Sequence, residues 1–71
     1  MKTKELSDRI EEQLTLLETN NYPYLLKARM IGRVAELMSE YTGSNFSKYY
    51  TRLREIEKWN KKLKQKYMQV L

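Results

Sequence analysis

Seventy-one residues, 41% of them hydrophobic, supply material for one core and exclude a second, because chains of this size bury only about 60% of the surface they expose when unfolded. The absence of cysteine and histidine excludes disulfide staples and the usual thiolate or imidazole metal sites, and removes the commonest general base and the most reactive nucleophile of enzymes. A surplus of 14 Lys and Arg over 9 Asp and Glu, with only two glycines and one proline, describes a basic chain of high helix propensity in which sheet is not expected.

The first helix is predicted over about residues 4–19, behind Thr3 as a cap. Leu6, Ile10, Leu14 and Leu17 recur at intervals of four, four and three residues, which draws one apolar stripe along a helix. Glu5, Asp8, Glu11, Glu12 and Glu18 lie on its other faces. Asn20, Asn21, Tyr22 and Pro23 read as a turn, since proline drives the residue before it out of the helical region.

Pro23 suits the first position of a second helix, where its missing N–H is not needed, and this helix is predicted over about residues 23–41. Leu26, Met30, Val34, Leu37, Met38 and Tyr41 keep helical spacing, and Leu25, Ala28, Ile31 and Ala35 widen the apolar surface. That breadth predicts a central helix touched from two sides. Gly32, expensive inside a helix, is expected to mark either a close helix crossing or a tolerated defect. Gly43 is expected to end the helix as a left-handed cap, with Ser44 or Asn45 capping the next one.

The third helix is predicted over about residues 45–70, longer than the other two and overhanging them. Phe46, Leu53, Asn60 and Tyr67 fall seven apart, as do Tyr49, Ile56, Leu63 and Val70, and the two series interleave as the a and d positions of a coiled coil. The spacing serves either a homodimer paired through this helix, with Asn60 fixing its register, or a helix packed within its own domain. The expected fold is therefore all-α, a three-helix bundle or a helical hairpin plus long C-terminal helix, forming one domain over residues 1–71. Because Met1 is followed by Lys2, Thr3, Lys4 and Glu5 and no long apolar run occurs, neither a signal peptide nor a membrane span is expected, and a cytoplasmic placement follows.

Charge divides the chain unequally. Residues 1–43 carry six basic against seven acidic side chains, whereas residues 44–71 carry Lys48, Arg52, Arg54, Lys58, Lys61, Lys62, Lys64 and Lys66 against only Glu55 and Glu57. The formal excess thus resides in the third helix. Such segregation suits a polyanion, because each cation placed near a phosphate releases condensed counterions. It also suits an acidic protein surface, or a solvated helix whose cations complement the helix dipole.

Catalytic patterns are missing. The neighbouring acids Glu11 and Glu12, or Glu55 and Glu57, are too close in sequence to share a helix face, and two glycines cannot build a phosphate-cradling loop. No enzyme activity, metal or cofactor is expected.

Val34 to Arg52 forms a helix, a short turn holding Gly43 and a second helix opening with Asn45, Ser47, Lys48, Thr51 and Arg52. This stretch resembles a helix-turn-helix, and the resemblance implies DNA contact through Asn45, Lys48 and Arg52. The small residues that fix the tight turn of that motif are displaced here, Gly43 lying eight beyond Ala35, so an ordinary bundle connection accounts for the same pattern. Trp59, flanked by Arg52, Lys58 and Lys62, suits a base-stacking or protein-anchoring role. The expected function is that of a small nucleic-acid-binding regulator, with Asn45, Ser47, Lys48, Arg52, Arg54, Lys58, Trp59, Lys61, Lys62, Lys64 and Lys66 as its binding residues. The alternative is an adaptor or inhibitor that docks on a larger protein through the same surface.

Overall fold

The computed structural model describes the backbone of residues 3–70 and the side chains of residues 3–66. Three helices follow one another, α1 (Thr3–Thr19), α2 (Tyr24–Glu40) and α3 (Phe46–Val70), and each packs against both others. Leu6, Ile10, Leu14 and Leu17 of α1 all face the core, with Ile10 and Leu14 fully enclosed. From α2 come Ile31, Val34 and Met38, followed by Tyr41; from α3 come Tyr49, Leu53 and Ile56. Every one of these sets keeps the three- and four-residue intervals of a single helical stripe, which is all that a helix in a three-membered bundle can bury.

The breadth of α2 is used in part. It touches both neighbours, but Leu25, Leu26, Ala28 and Ala35 are exposed and Met30 and Leu37 are half-buried. Its buried stripe centres on Ile31 and Val34. Of the residues that widen the helix, Ile31 thus joins the core, whereas Leu25, Ala28 and Ala35 remain in water.

The turns depart from expectation in two ways. Pro23 is the N-cap of α2 rather than its first helical residue: its backbone is extended (φ −59°, ψ 153°), and its carbonyl accepts the Lys27 N–H at 3.0 Å. Gly43 is not a left-handed cap, since none of the described glycines has positive φ. Tyr41 ends α2 instead, in extended conformation, with its N–H donating to the Met38 carbonyl at 3.1 Å. The Tyr41 ring folds back over Gly43, and a Cβ there would overlap the phenol. Gly43 is thus needed for close approach rather than for its φ. Gly32, by contrast, has nothing within 4 Å of a would-be Cβ, so no helix crosses there. Main-chain bonds start α3: Asn45 offers its carbonyl to the Tyr49 N–H at 3.0 Å, and Gly43 accepts from Phe46 at 3.4 Å.

Tyr41 and Tyr49 stack obliquely, with centroids 5.6 Å apart and planes at 57°. The Tyr49 hydroxyl meets Ser7 Oγ at 2.6 Å, so the α2–α3 turn is fastened to the start of α1. The helices therefore run up, down and up, and α1 and α3 point the same way.

The heptad positions of α3 belong, at their centre, to this domain's own core. Tyr49, Leu53, Ile56 and Asn60 are buried within the chain, while Phe46 at the start is 41% exposed and Leu63 is half-buried. The side chains of Tyr67 and Val70 lie outside the described residues. Asn60 is only 7% exposed, and its Oδ1 has no hydrogen-bond partner among the described residues.

At about 1.5 Å per residue, the 25 residues of α3 span about 37 Å and the 17 of α1 and of α2 about 25 Å. Since α3 starts beside the end of α2, the excess carries it past the α1–α2 turn, and the molecule measures 43 × 19 × 17 Å. Among the described residues, no helix is long and apolar enough to cross a membrane.

Candidate nucleic-acid interface

The basic residues of α3 separate into two groups once its neighbours are placed. Arg52 faces α1. Ser7, Glu11 and Glu18 recur on one side of α1 at helical spacing, and Arg52 lies between the two glutamates. Its Nη1 donates to both carboxylate oxygens of Glu11 at 2.8 Å. Its Nε and Nη2 grip Glu18 at 3.1 and 2.6 Å. The grip on Glu18 is bidentate, the strong form of a charge-assisted hydrogen bond, while Nη1 divides its donation between the two oxygens of Glu11. It holds the Glu18 carboxyl below the ordinary carboxylate range, chiefly through the hydrogen bond from Arg52, and raises the guanidinium well above its own usual value. The Arg52 side chain is 22% exposed. Its charge is spent inside the fold, which leaves Asn45 and Lys48 as the exposed members of the three positions that the helix-turn-helix resemblance implied.

Arg54 is held more loosely. It reaches Glu57 at 4.0 Å and lies over the Tyr50 ring at 6.0 Å. Tyr50 in turn stacks on Phe46, centroids 6.1 Å apart, so an exposed ladder of two rings and one guanidinium runs up the first half of α3. Ser47 is exposed beside it.

The second half of α3 is different in kind. Lys58, Lys61, Lys62, Lys64 and Lys66 are all exposed, and none has a carboxylate within 4.0 Å among the described residues. The ammonium of Lys62 lies 4.9 Å from the centre of the Trp59 ring, and Trp59 itself is 62% exposed. Acids of α1 thus neutralise Arg52, while Lys48 in the first half of the helix and the five lysines of the second half have no carboxylate within 4.0 Å among the described residues.

Trp59 walls a groove of about 520 Å³ between the end of α1, the start of α2 and the second half of α3. Leu17, Ile56 and Leu63 make its apolar floor; Lys27, Lys62 and Lys66 stand around it with Glu18 and Glu55. Sequence reasoning placed Trp59, Lys62 and Lys66 in a binding surface but missed Lys27 and Asn21. Those two stand more than thirty residues away, and no spacing rule connects them to α3.

A second groove, between α1 and α2, is lined by Arg9, Glu12, Gln13, Arg33, Glu36, Leu37 and Glu40. Its two cations face three acids, so it offers a polyanion no attraction. Among the described residues, no group of three or more acidic side chains is placed to hold a metal ion. Neither a family model, nor a curated protein sequence, nor a solved structure matches this chain.

Proposed function

We propose that this protein is a small, non-enzymatic, intracellular nucleic-acid-binding factor whose contact element is the C-terminal half of α3. One observation carries the reading: Lys58, Lys61, Lys62, Lys64 and Lys66 occupy about two and a half turns of a helix longer than its neighbours, and none of them has a carboxylate within 4.0 Å among the described residues. Concentrated unpaired charge on a protruding rod attracts a polyanion from solution and gains affinity by counterion release. Arg52 and Arg54 contribute less to this surface, the first because α1 neutralises it and the second because Glu57 is near. Anisotropy of a labelled oligonucleotide titrated with the full chain at low salt tests the reading. Binding that weakens steeply as salt rises is expected. Absence of binding to DNA and to RNA at low salt ends it.

A second reading has its own support. Leu25 is 61% and Leu26 44% exposed at the start of α2, and the Phe46–Tyr50 pair is open to solvent. Exposed apolar anchors of this kind favour docking on a larger protein. Retention of a partner after nuclease treatment separates the two readings.

A further inference from the structure

Resting on that reading of α3, we infer that the Trp59 groove takes an unpaired base, so that the preferred ligand is single-stranded nucleic acid rather than duplex. The sequence offers an aromatic amid lysines; the fold adds a cradle. Leu17 and Ile56 are buried beneath it, Leu63 is half-buried, and the exposed indole stands at its wall. The volume of about 520 Å³ falls in the range of small-ligand sites, about 300–1,000 Å³. A flat base with its sugar fits such a space, whereas a duplex turns only its edges and backbone outward. An indole face has value to a nucleic acid only where a base is free to stack on it.

The charges around the groove are arranged for the accompanying backbone. Lys27 comes from α2, and Lys62 and Lys66 from α3. Of the two acids present, Glu18 is already neutralised by Arg52 at 2.6 Å, which leaves three ammonium groups against Glu55. Lys62 now covers the indole at 4.9 Å. Its flexible four-carbon stem lets the ammonium leave the ring for a phosphate as the base arrives. Two elements thus supply phosphate contacts on either side of one stacking surface, which is how sequence-tolerant single-strand sites combine backbone and base contacts.

Because Trp59 is the single tryptophan, its fluorescence reports on the groove directly. The full chain is titrated at low salt with short oligothymidylate, with an abasic strand of equal length, with a duplex and with an oligoglutamate peptide. Quenching by oligothymidylate is expected, with a preference over the abasic strand of about tenfold. Trp59→Ala should remove that preference, and Trp59→Phe should keep most of it. Lys27→Gln should weaken binding of the single strand more than of the duplex. Trp59 is exposed, so the alanine variant keeps the fold, which its helical circular dichroism verifies. Equal affinity for intact and abasic strands, or equal quenching by oligoglutamate, overturns the stacking site while leaving the basic helix as a nucleic-acid contact. Failure of every strand to bind at low salt overturns both.

Discussion

Replacing Lys61, Lys62, Lys64 and Lys66 together by glutamine probes the unpaired end of α3 without touching the core, since all four are exposed. On a single strand each phosphate contact contributes about 0.7 to the slope of log affinity against log salt. Five contacting lysines therefore give a slope of about −3.5, or about a hundredfold loss of affinity between roughly 50 and 200 mM salt. Removing four of them should flatten the slope by about 2.8, leaving only about a threefold loss over the same range. Arg52→Gln makes the matching control. It removes the same formal charge as any one of the four lysine substitutions, yet its guanidinium is committed to Glu11 and Glu18, so the slope should stay where it was. Stability should fall instead, by about 1 kcal/mol for a partly exposed ion-pair network, or about 4–8 °C in Tm for a domain this small. Anisotropy across a salt series reads the first quantity and thermal melting the second. An Arg52 variant that flattens the slope as a single lysine variant does, with an unchanged Tm, would refute the assignment of Arg52 to the fold rather than to the open basic surface.

Other outcomes follow from the same structure. Gly32→Ala fills open space on a helix surface and should stabilise by about 0.4–1 kcal/mol, while Gly43→Ala collides with the Tyr41 ring and should cost about 1–3 kcal/mol; urea melts of the pair should move in opposite directions. Asn60→Leu removes a buried Oδ1 that lacks a partner and should raise stability by about 1 kcal/mol or more. Light scattering on the same variant tests whether Asn60 also governs self-association, and an unchanged molar mass is expected because the residue is buried within its own chain. Glu18 binds protons less readily when folded than when unfolded, so its contribution is present above the ordinary carboxylate value and is lost as pH falls through the lowered one. Glu18→Gln should therefore show a shallower loss of Tm on acidification. With its side chain 39% exposed, the effect is about 0.5 kcal/mol after solvent screening. Ser7→Ala breaks the 2.6 Å bond to Tyr49 and should cost about 1 kcal/mol, with no change in binding.

The three helices and most of the core were legible in the sequence because periodicity is a local property. Leu6, Ile10, Leu14 and Leu17 repeat with the helix, and nothing in the tertiary structure alters which side they mark. The same holds for Tyr49, Leu53 and Ile56. Pattern alone left open whether the α3 stripe met a second copy or its own domain, since the two demand the same spacing. It also overstated α2, where Leu25 and Leu26 continue the apolar pattern without finding anything to pack against. Gly43 was noticed for a conformation it does not adopt. Its real constraint is a ring two residues away that folds back only when the bundle forms.

Length, absent cysteine and histidine, helical periodicity and the accumulation of cations after residue 44 are all written in the chain itself, for they depend on residue identity and local spacing. Which of those cations remain free depends on what lies opposite. Glu11 and Glu18 reach Arg52 across 41 and 34 residues, and Lys27 of α2 lines the same groove as Trp59 of α3. Electrostatic neutralisation acts over a few ångströms of space rather than along the sequence, so tertiary packing decided which cations of the basic helix have a carboxylate partner among the described residues.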